Sequence, residues 1–163
     1  MSDPTAIEID FDPRQQRMEG VARHGMTPFD VPFISEITPT MWQGGCQDGL
    51  VLPDFITHVV SLYPWEKYTI TSGAELHEFK MYDSLDQSYE LVDEIATAVN
   101  TFAAQGVVLV HCQAGLNRSS LIACRALMLQ GMSADDAIAL IREKRSPACL
   151  CNPAFETFLR SLP

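Results

Sequence analysis

Basic residues are scarce in this chain. Its 163 residues carry 11 lysines and arginines against 21 aspartates and glutamates, a formal net charge of −10 at pH 7. A chain so acidic repels nucleic acid and anionic membrane surfaces unless a local basic site overrides the average. Long apolar runs are missing too. Arg125 interrupts the best of them, Leu121 to Leu129, so no segment is expected to span a bilayer. The start, Met1 to Asp12, is acidic and lacks the apolar stretch of a signal peptide. The cysteines are few and odd in number, at 46, 112, 124, 149 and 151, which excludes a fully paired disulfide framework. These features together lead us to expect a cytoplasmic protein with free thiols. There is no Walker loop, no dinucleotide-binding glycine fingerprint, no internal repeat and no low-complexity segment.

What is present is one domain's worth of alternating elements. Residues 1–32 read as an N-terminal arm, interrupted by Pro4, Pro13, Pro28 and Pro32, with a short helix expected over Arg14–Arg23. The arm has three readings: a disordered lead-in, a cap over a site, or a dimer contact. A folded domain is expected over 33–163. Ile34–Ile37 and Met41–Gln43 predict two strands, with Gly44-Gly45 as a break, and Leu50–Phe55 predicts a helical turn. His58–Leu62 and Leu76–Met81 predict further strands. Ser88 caps a helix whose apolar residues Leu91, Ile95, Val99 and Phe102 recur at helical spacing up to Gly106. Val107–Val110 is a continuous apolar run, the mark of a strand buried on both faces. Helices follow over about Arg118–Gln130, after the Ser133/Asp136 capping pair, and over about Pro153–Leu162. The fold class expected is α/β: a single domain with a central, mostly parallel twisted sheet covered by helices.

The chemistry concentrates in Val110-His111-Cys112-Gln113-Ala114-Gly115-Leu116-Asn117-Arg118-Ser119-Ser120. This segment joins the buried strand to a helix at the strand's carboxyl end, where open α/β sheets bind ligands. Amides at a helix start are unpaired, and the helix dipole adds positive charge. A tight loop entering the helix collects them into an anion nest, and Gly115 permits the curl. Cys112 stands at the first position, where the same field favours a thiolate. Arg118 brings a planar fork that can hold two phosphate oxygens at once. A nucleophile and a bidentate anion clamp on one loop describe a covalent phosphoryl-transfer site.

His111-Cys112-x-x-Gly115-x-x-Arg118-Ser119 resembles the signature loop of cysteine-based protein tyrosine phosphatases. Glu36 to Gly45, Ile56 to Leu62, Met132 to Ala137 and the tail Arg145 to Phe155 are similar to the compact dual-specificity branch of that superfamily. The resemblance implies that Cys112 attacks phosphorus and that the loop from Gln113, Ala114, Gly115, Leu116 and Asn117 to Arg118 binds the phosphoryl oxygens. It further implies that Ser119 assists departure of the sulfur, that His111 orders the loop, and that no metal or cofactor takes part. It also implies a general acid on a separate loop. Asp83, 112 − 83 = 29 residues before Cys112, fits that place, with Asp86 as the rival. The partner implied is a phosphorylated protein carrying phospho-Tyr, phospho-Ser or phospho-Thr.

Other readings stand beside these. A lone cysteine after an apolar strand is usually a small core residue. A zinc site from His111, Cys112, Cys149 and Cys151 is disfavoured, because residues 111 and 112 point apart. Trp42, Trp65, Tyr63 and Tyr68 suit core packing better than a substrate wall. The loop lacks the internal basic residues a phosphoinositide headgroup wants. An RNA 5′-phosphatase or triphosphatase, or a phosphate-binding module without turnover, are the alternative functions.

Overall fold

The computed structural model describes residues 12–22, 26–81 and 88–163. Its elements, in order, are β1 (Arg17–Val21), β2 (Pro28–Pro32), β3 (Ile34–Thr38), β4 (Met41–Gly44), β5 (His58–Ser61), β6 (Glu75–Glu78), α1 (Tyr89–Gln105), β7 (Val108–His111), α2 (Arg118–Leu129), α3 (Ala134–Lys144) and α4 (Pro153–Arg160). A five-stranded sheet runs in the order β3-β4-β7-β5-β6. β3 pairs antiparallel with β4, and the remaining pairs are parallel. The architecture is therefore α/β with a mixed, mostly parallel central sheet, as expected. No helix among the described residues is long and apolar enough to cross a membrane.

β7 lies at the centre, with Leu109 opposite Trp42 on one side and Val59 on the other. Its pleat divides the apolar run. Val108 and Val110 enter a core cluster with Val92, Ile95, Ile122 and Ile141 from the helices. Leu109 joins a second cluster beneath Leu50, Leu52, Ile56 and Tyr68. Helices cover one face and connecting segments cover the other. Both bury their apolar side chains, which is what the unbroken run requires.

The starts of α1, α3 and α4 are satisfied locally, whereas α2 has no capping side chain. Ser88 accepts from Leu91 N at 3.1 Å, Ser133 from Asp136 N at 3.1 Å, and Asn152 from Ala154 N at 3.1 Å. Each answers a first-turn donor that the helix itself leaves unpaired. Gly106 closes α1 in extended backbone, with φ −178°. Glycine is needed there for space: a Cβ would lie 2.2 Å from Thr57 Oγ1. Arg125, buried within α2, donates to Asp93 at 2.6 Å from Nε and holds that carboxyl below its ordinary range.

Two local expectations are corrected. The helix expected over Arg14–Arg23 is absent from its described part, Arg14–Ala22: Arg17–Val21 is a strand because β2 pairs with it antiparallel, from Arg17 opposite Pro32 to Val21 opposite Pro28. This hairpin is tied to the domain where Phe33 N donates to Gln16 O and Ile34 N to Pro13 O. Leu50–Phe55 is not a helical turn throughout: it turns only at its end, where Ile56 N donates to Pro53 O at 3.2 Å, and its first half is extended. Leu52 N donates to Thr69 O and Thr69 N to Leu50 O, an extended pairing, and Pro53 biases Leu52 away from helical backbone. The break expected at Gly44-Gly45 is where β4 ends, with Gly44 opposite His111.

Candidate active site

β7 delivers the loop: His111 ends the strand, residues 112–117 curl, and α2 begins at Arg118. The carbonyls of the curl are bound from outside. Gln113 O accepts from Cys46 N at 3.0 Å, and Ala114 O from Arg145 Nη2 at 3.1 Å. Gly115 O accepts from Arg145 Nε at 2.7 Å and from Gln43 Nε2 at 3.1 Å. Leu116 O accepts from Leu150 N at 2.8 Å. A trans peptide holds its C=O and N–H on opposite sides. The amides of residues 114–117 therefore face into the curl, and Gly115 N–H reaches Cys112 Sγ at 3.3 Å. With the first-turn amides of α2 behind them, these groups form an anion nest.

Gly115 has φ +73°, and a Cβ on it would lie 2.5 Å from Gly44 C and 2.6 Å from Gly45 N. Both facts require glycine. Left-handed backbone costs an L-residue about 1–2 kcal/mol, and overpacking adds roughly 1–3 kcal/mol. Gly115→Ala is expected to lower the urea midpoint of unfolding accordingly and to weaken phosphate binding. An unchanged midpoint would show that the loop can relax around a methyl group.

Cys112 is 2 % exposed, yet it lines the floor of a cleft of about 790 Å³. Its Sγ lies 3.4 Å from Ser119 Oγ. Ser119 is buried and its Oγ accepts from Gln43 Nε2 at 3.1 Å and from the Cys112 thiol. Behind the loop, His111 Nδ1 lies 3.2 Å from Cys112 O. A carbonyl only accepts, so the proton sits on Nδ1. Burial pushes His111 down to about 4, outweighing that hydrogen bond, and Arg118 pushes the same way. The ring is thus neutral near pH 7. The edge of Tyr68, whose hydroxyl donates to Gly45 O, packs against it.

Arg118 rises at the cleft wall. Its Nη1 donates to Met81 O at 3.4 Å, and its guanidinium lies 5.2 Å from the Tyr63 ring centroid. Its Nε is buried without a hydrogen-bond partner. Gln113, half-buried Ala114, Asn117 and Leu116 line the same cleft. The Leu116 side chain belongs to the core. The Asn117 side chain turns to the segment before α4, where Oδ1 accepts from Asn152 N at 2.9 Å. Asp83 and Asp86 lie outside the described residues. The chain approaches them through Met81, which lines the cleft. Trp65 corrects the core reading made for it: it lines the cleft and is 54 % exposed, whereas Tyr63 packs against the main core cluster and lines the cleft as well. Tyr68 is buried and Trp42 packs beside the second core cluster. Among the described residues no two cysteines are joined in a disulfide, and no group of His, Cys, Asp and Glu suited to a metal occurs.

Two site-building residues escape sequence reasoning. Gln43 hydrogen-bonds Gly115, Ser119 and Ser120 from one amide group. A glutamine inside a buried strand is a weak signal for such a task. Arg145 is fully buried and donates to Pro32 O, Ser35 Oγ, Ala114 O and Gly115 O. Nothing local distinguishes it from a basic residue ending an exposed helix. Burial alone lowers its pKa, yet a guanidinium stays charged at any ordinary pH.

A cysteine at the mouth of an amide nest, backed by an arginine, on a mostly parallel sheet defines a cysteine-loop phosphatase domain. Residues 56–162 match the family described as "Dual specificity phosphatase, catalytic domain", and the chain belongs to that family. Over 72 residues it is 44 % identical to the mouse "Protein tyrosine phosphatase domain-containing protein 1", covering 39 % of this chain and 10 % of that protein. The match thus spans about a tenth of the relative's length. The fold is similar to human DUSP28, with TM-score 0.66 and 19 % identity over 77 % of this chain and 92 % of that one. It is also similar to Tk-PTP in its active form, with TM-score 0.64 and 21 % identity over 81 % of this chain and 99 % of that one.

Proposed function

We propose that the protein hydrolyses phosphate monoesters of tyrosine, serine or threonine side chains through a cysteinyl-phosphate intermediate. The observation that carries this reading is the partnerless, buried Nε of Arg118 beside a ring of inward amides and a thiol. A buried donor left unpaired is destabilising, and an oxygen of a phosphoryl group would satisfy it.

In the first step Cys112 Sγ, as thiolate, forms a bond to phosphorus while the ester P–O bond breaks. The departing oxygen takes a proton from Asp83. The equatorial oxygens lie against the loop amides and the Arg118 fork, which hold transition-state charge in fixed positions. In the second step water attacks phosphorus and gives its proton to Asp83. The S–P bond breaks, and the Ser119 hydroxyl donates to the leaving sulfur. His111 stays neutral and keeps its Nδ1 proton on Cys112 O. None of these steps calls on a metal or cofactor.

The rim disfavours polyanionic substrates such as a triphosphorylated RNA. Arg17 is engaged by Asp30 at 2.8 Å, and Glu19 and Glu66 line the cleft. The direct test is release of inorganic phosphate from p-nitrophenyl phosphate, inhibited by vanadate. Phosphate binding without release would leave only a binding module. Asp83→Ala is expected to slow hydrolysis about 10²–10⁴-fold, most for poor leaving groups. A rate unchanged by this substitution would move the acid to Asp86.

A further inference from the structure

The β1–β2 hairpin contributes Met18, Val21, Ala22 and Phe29, with the charged Arg17 and Glu19, to the lining of the cleft that holds Cys112. Met18 is seated against the loop itself. A Cβ on Gly45 would meet Met18 Sδ at 2.7 Å, Gln113 O at 2.8 Å and Ala114 C at 2.9 Å, so these atoms converge on one point. Phe29 packs beside the core cluster that contains Cys112. Its ring end comes within 3.2 Å of where a Gly20 Cβ would stand, so the bare backbone of Gly20 lets the ring lie flat on β1. Tyr63 and Trp65, with ring centroids 5.0 Å apart, also line the cleft, and the Arg118 guanidinium leans on Tyr63. The thiol is almost wholly covered while this apolar and aromatic lining extends outward to Val21, which is 56 % exposed.

We infer that the hairpin is a selectivity wall, making the site prefer aryl phosphates, phosphotyrosine above all, over phosphoserine and phosphothreonine. The inference rests on the phosphatase reading above. A phosphotyrosyl group carries its phosphate beyond a flat ring, which fills an apolar slot and favours it by burial and ring contacts. A phosphoseryl or phosphothreonyl stem is a single carbon. Reaching Cys112 would then draw the polar backbone of the substrate into the slot, where its amide groups lose water without gaining partners. One arginine, Arg118, at the wall of the cleft and an engaged Arg17 at the rim suit a single phosphate.

The test measures kcat/KM of the full chain on phosphotyrosyl, phosphoseryl and phosphothreonyl peptides of one shared flanking sequence. The expected result is a preference for phosphotyrosine of at least about 100-fold. Phe29→Ala is expected to shrink that ratio about tenfold. Val21→Asp, at an exposed position that folding tolerates, is expected to shrink it as well and decides the matter if Phe29→Ala fails to fold. Similar rates on all three peptides overturn the wall, and so does an undiminished ratio in a folded variant of either kind. No hydrolysis of any peptide or of p-nitrophenyl phosphate overturns the phosphatase reading, and the wall with it.

Discussion

Cys112→Ser is expected to abolish turnover, lowering the rate on p-nitrophenyl phosphate by at least about 10⁴-fold, while the protein stays folded and still binds inorganic phosphate. The substitution removes only nucleophilicity. Oxygen replaces sulfur with almost no change of shape, on a floor where Gly115 N–H and Ser119 Oγ already stand within hydrogen-bond distance. A serine hydroxyl is a weak nucleophile without an adjacent base, and the nearest imidazole is committed. His111 lies behind the loop with Nδ1 on Cys112 O, and burial keeps it neutral. The amides facing the curl are backbone groups, so the nest survives. Steady-state rates together with phosphate binding by calorimetry check both halves. Wild-type turnover in the serine variant would eliminate the covalent route.

Arg118→Lys is expected to lower kcat/KM about 10²–10³-fold despite the retained positive charge. The guanidinium does three things that an ammonium does not do together. It leans on the Tyr63 ring, it donates to Met81 O, and it holds a buried Nε without a partner among the described residues. A planar fork meets two phosphoryl oxygens at once, whereas a lysine offers a point charge on a flexible stem. If the clamp acts on the transition state, kcat falls along with kcat/KM, and the loss is not recovered at saturating substrate. A variant with the parent rate would refute the two-oxygen clamp.

Short-range chemistry made much of this legible. Val107–Val110 reads as a doubly buried strand because a central parallel strand meets apolar surface on both faces, as Leu109 and its neighbours do. Ser88 and Ser133 read as caps because their hydroxyls answer amides three residues on. The arm was less legible. Arg14–Arg23 lacks a clean period, and its strand exists only because Pro28–Pro32 returns beside it. Tyr63 and Trp65 offered no local sign of facing the cleft, since an aromatic residue after a buried strand packs inward as readily.

The order of residues alone determined the cysteine, the glycine and the arginine of one loop, and the strand and helix on either side. Those depend on neighbours within a turn or two of the chain. Only the tertiary structure decided how the loop is held open. Gln43 and Cys46 from one distant segment, and Arg145 and Leu150 from another, bind its carbonyls from outside, and each carbonyl drawn outward turns its amide toward the sulfur. Such partners meet only when the whole sheet and its helices are assembled, so no window of sequence contains them.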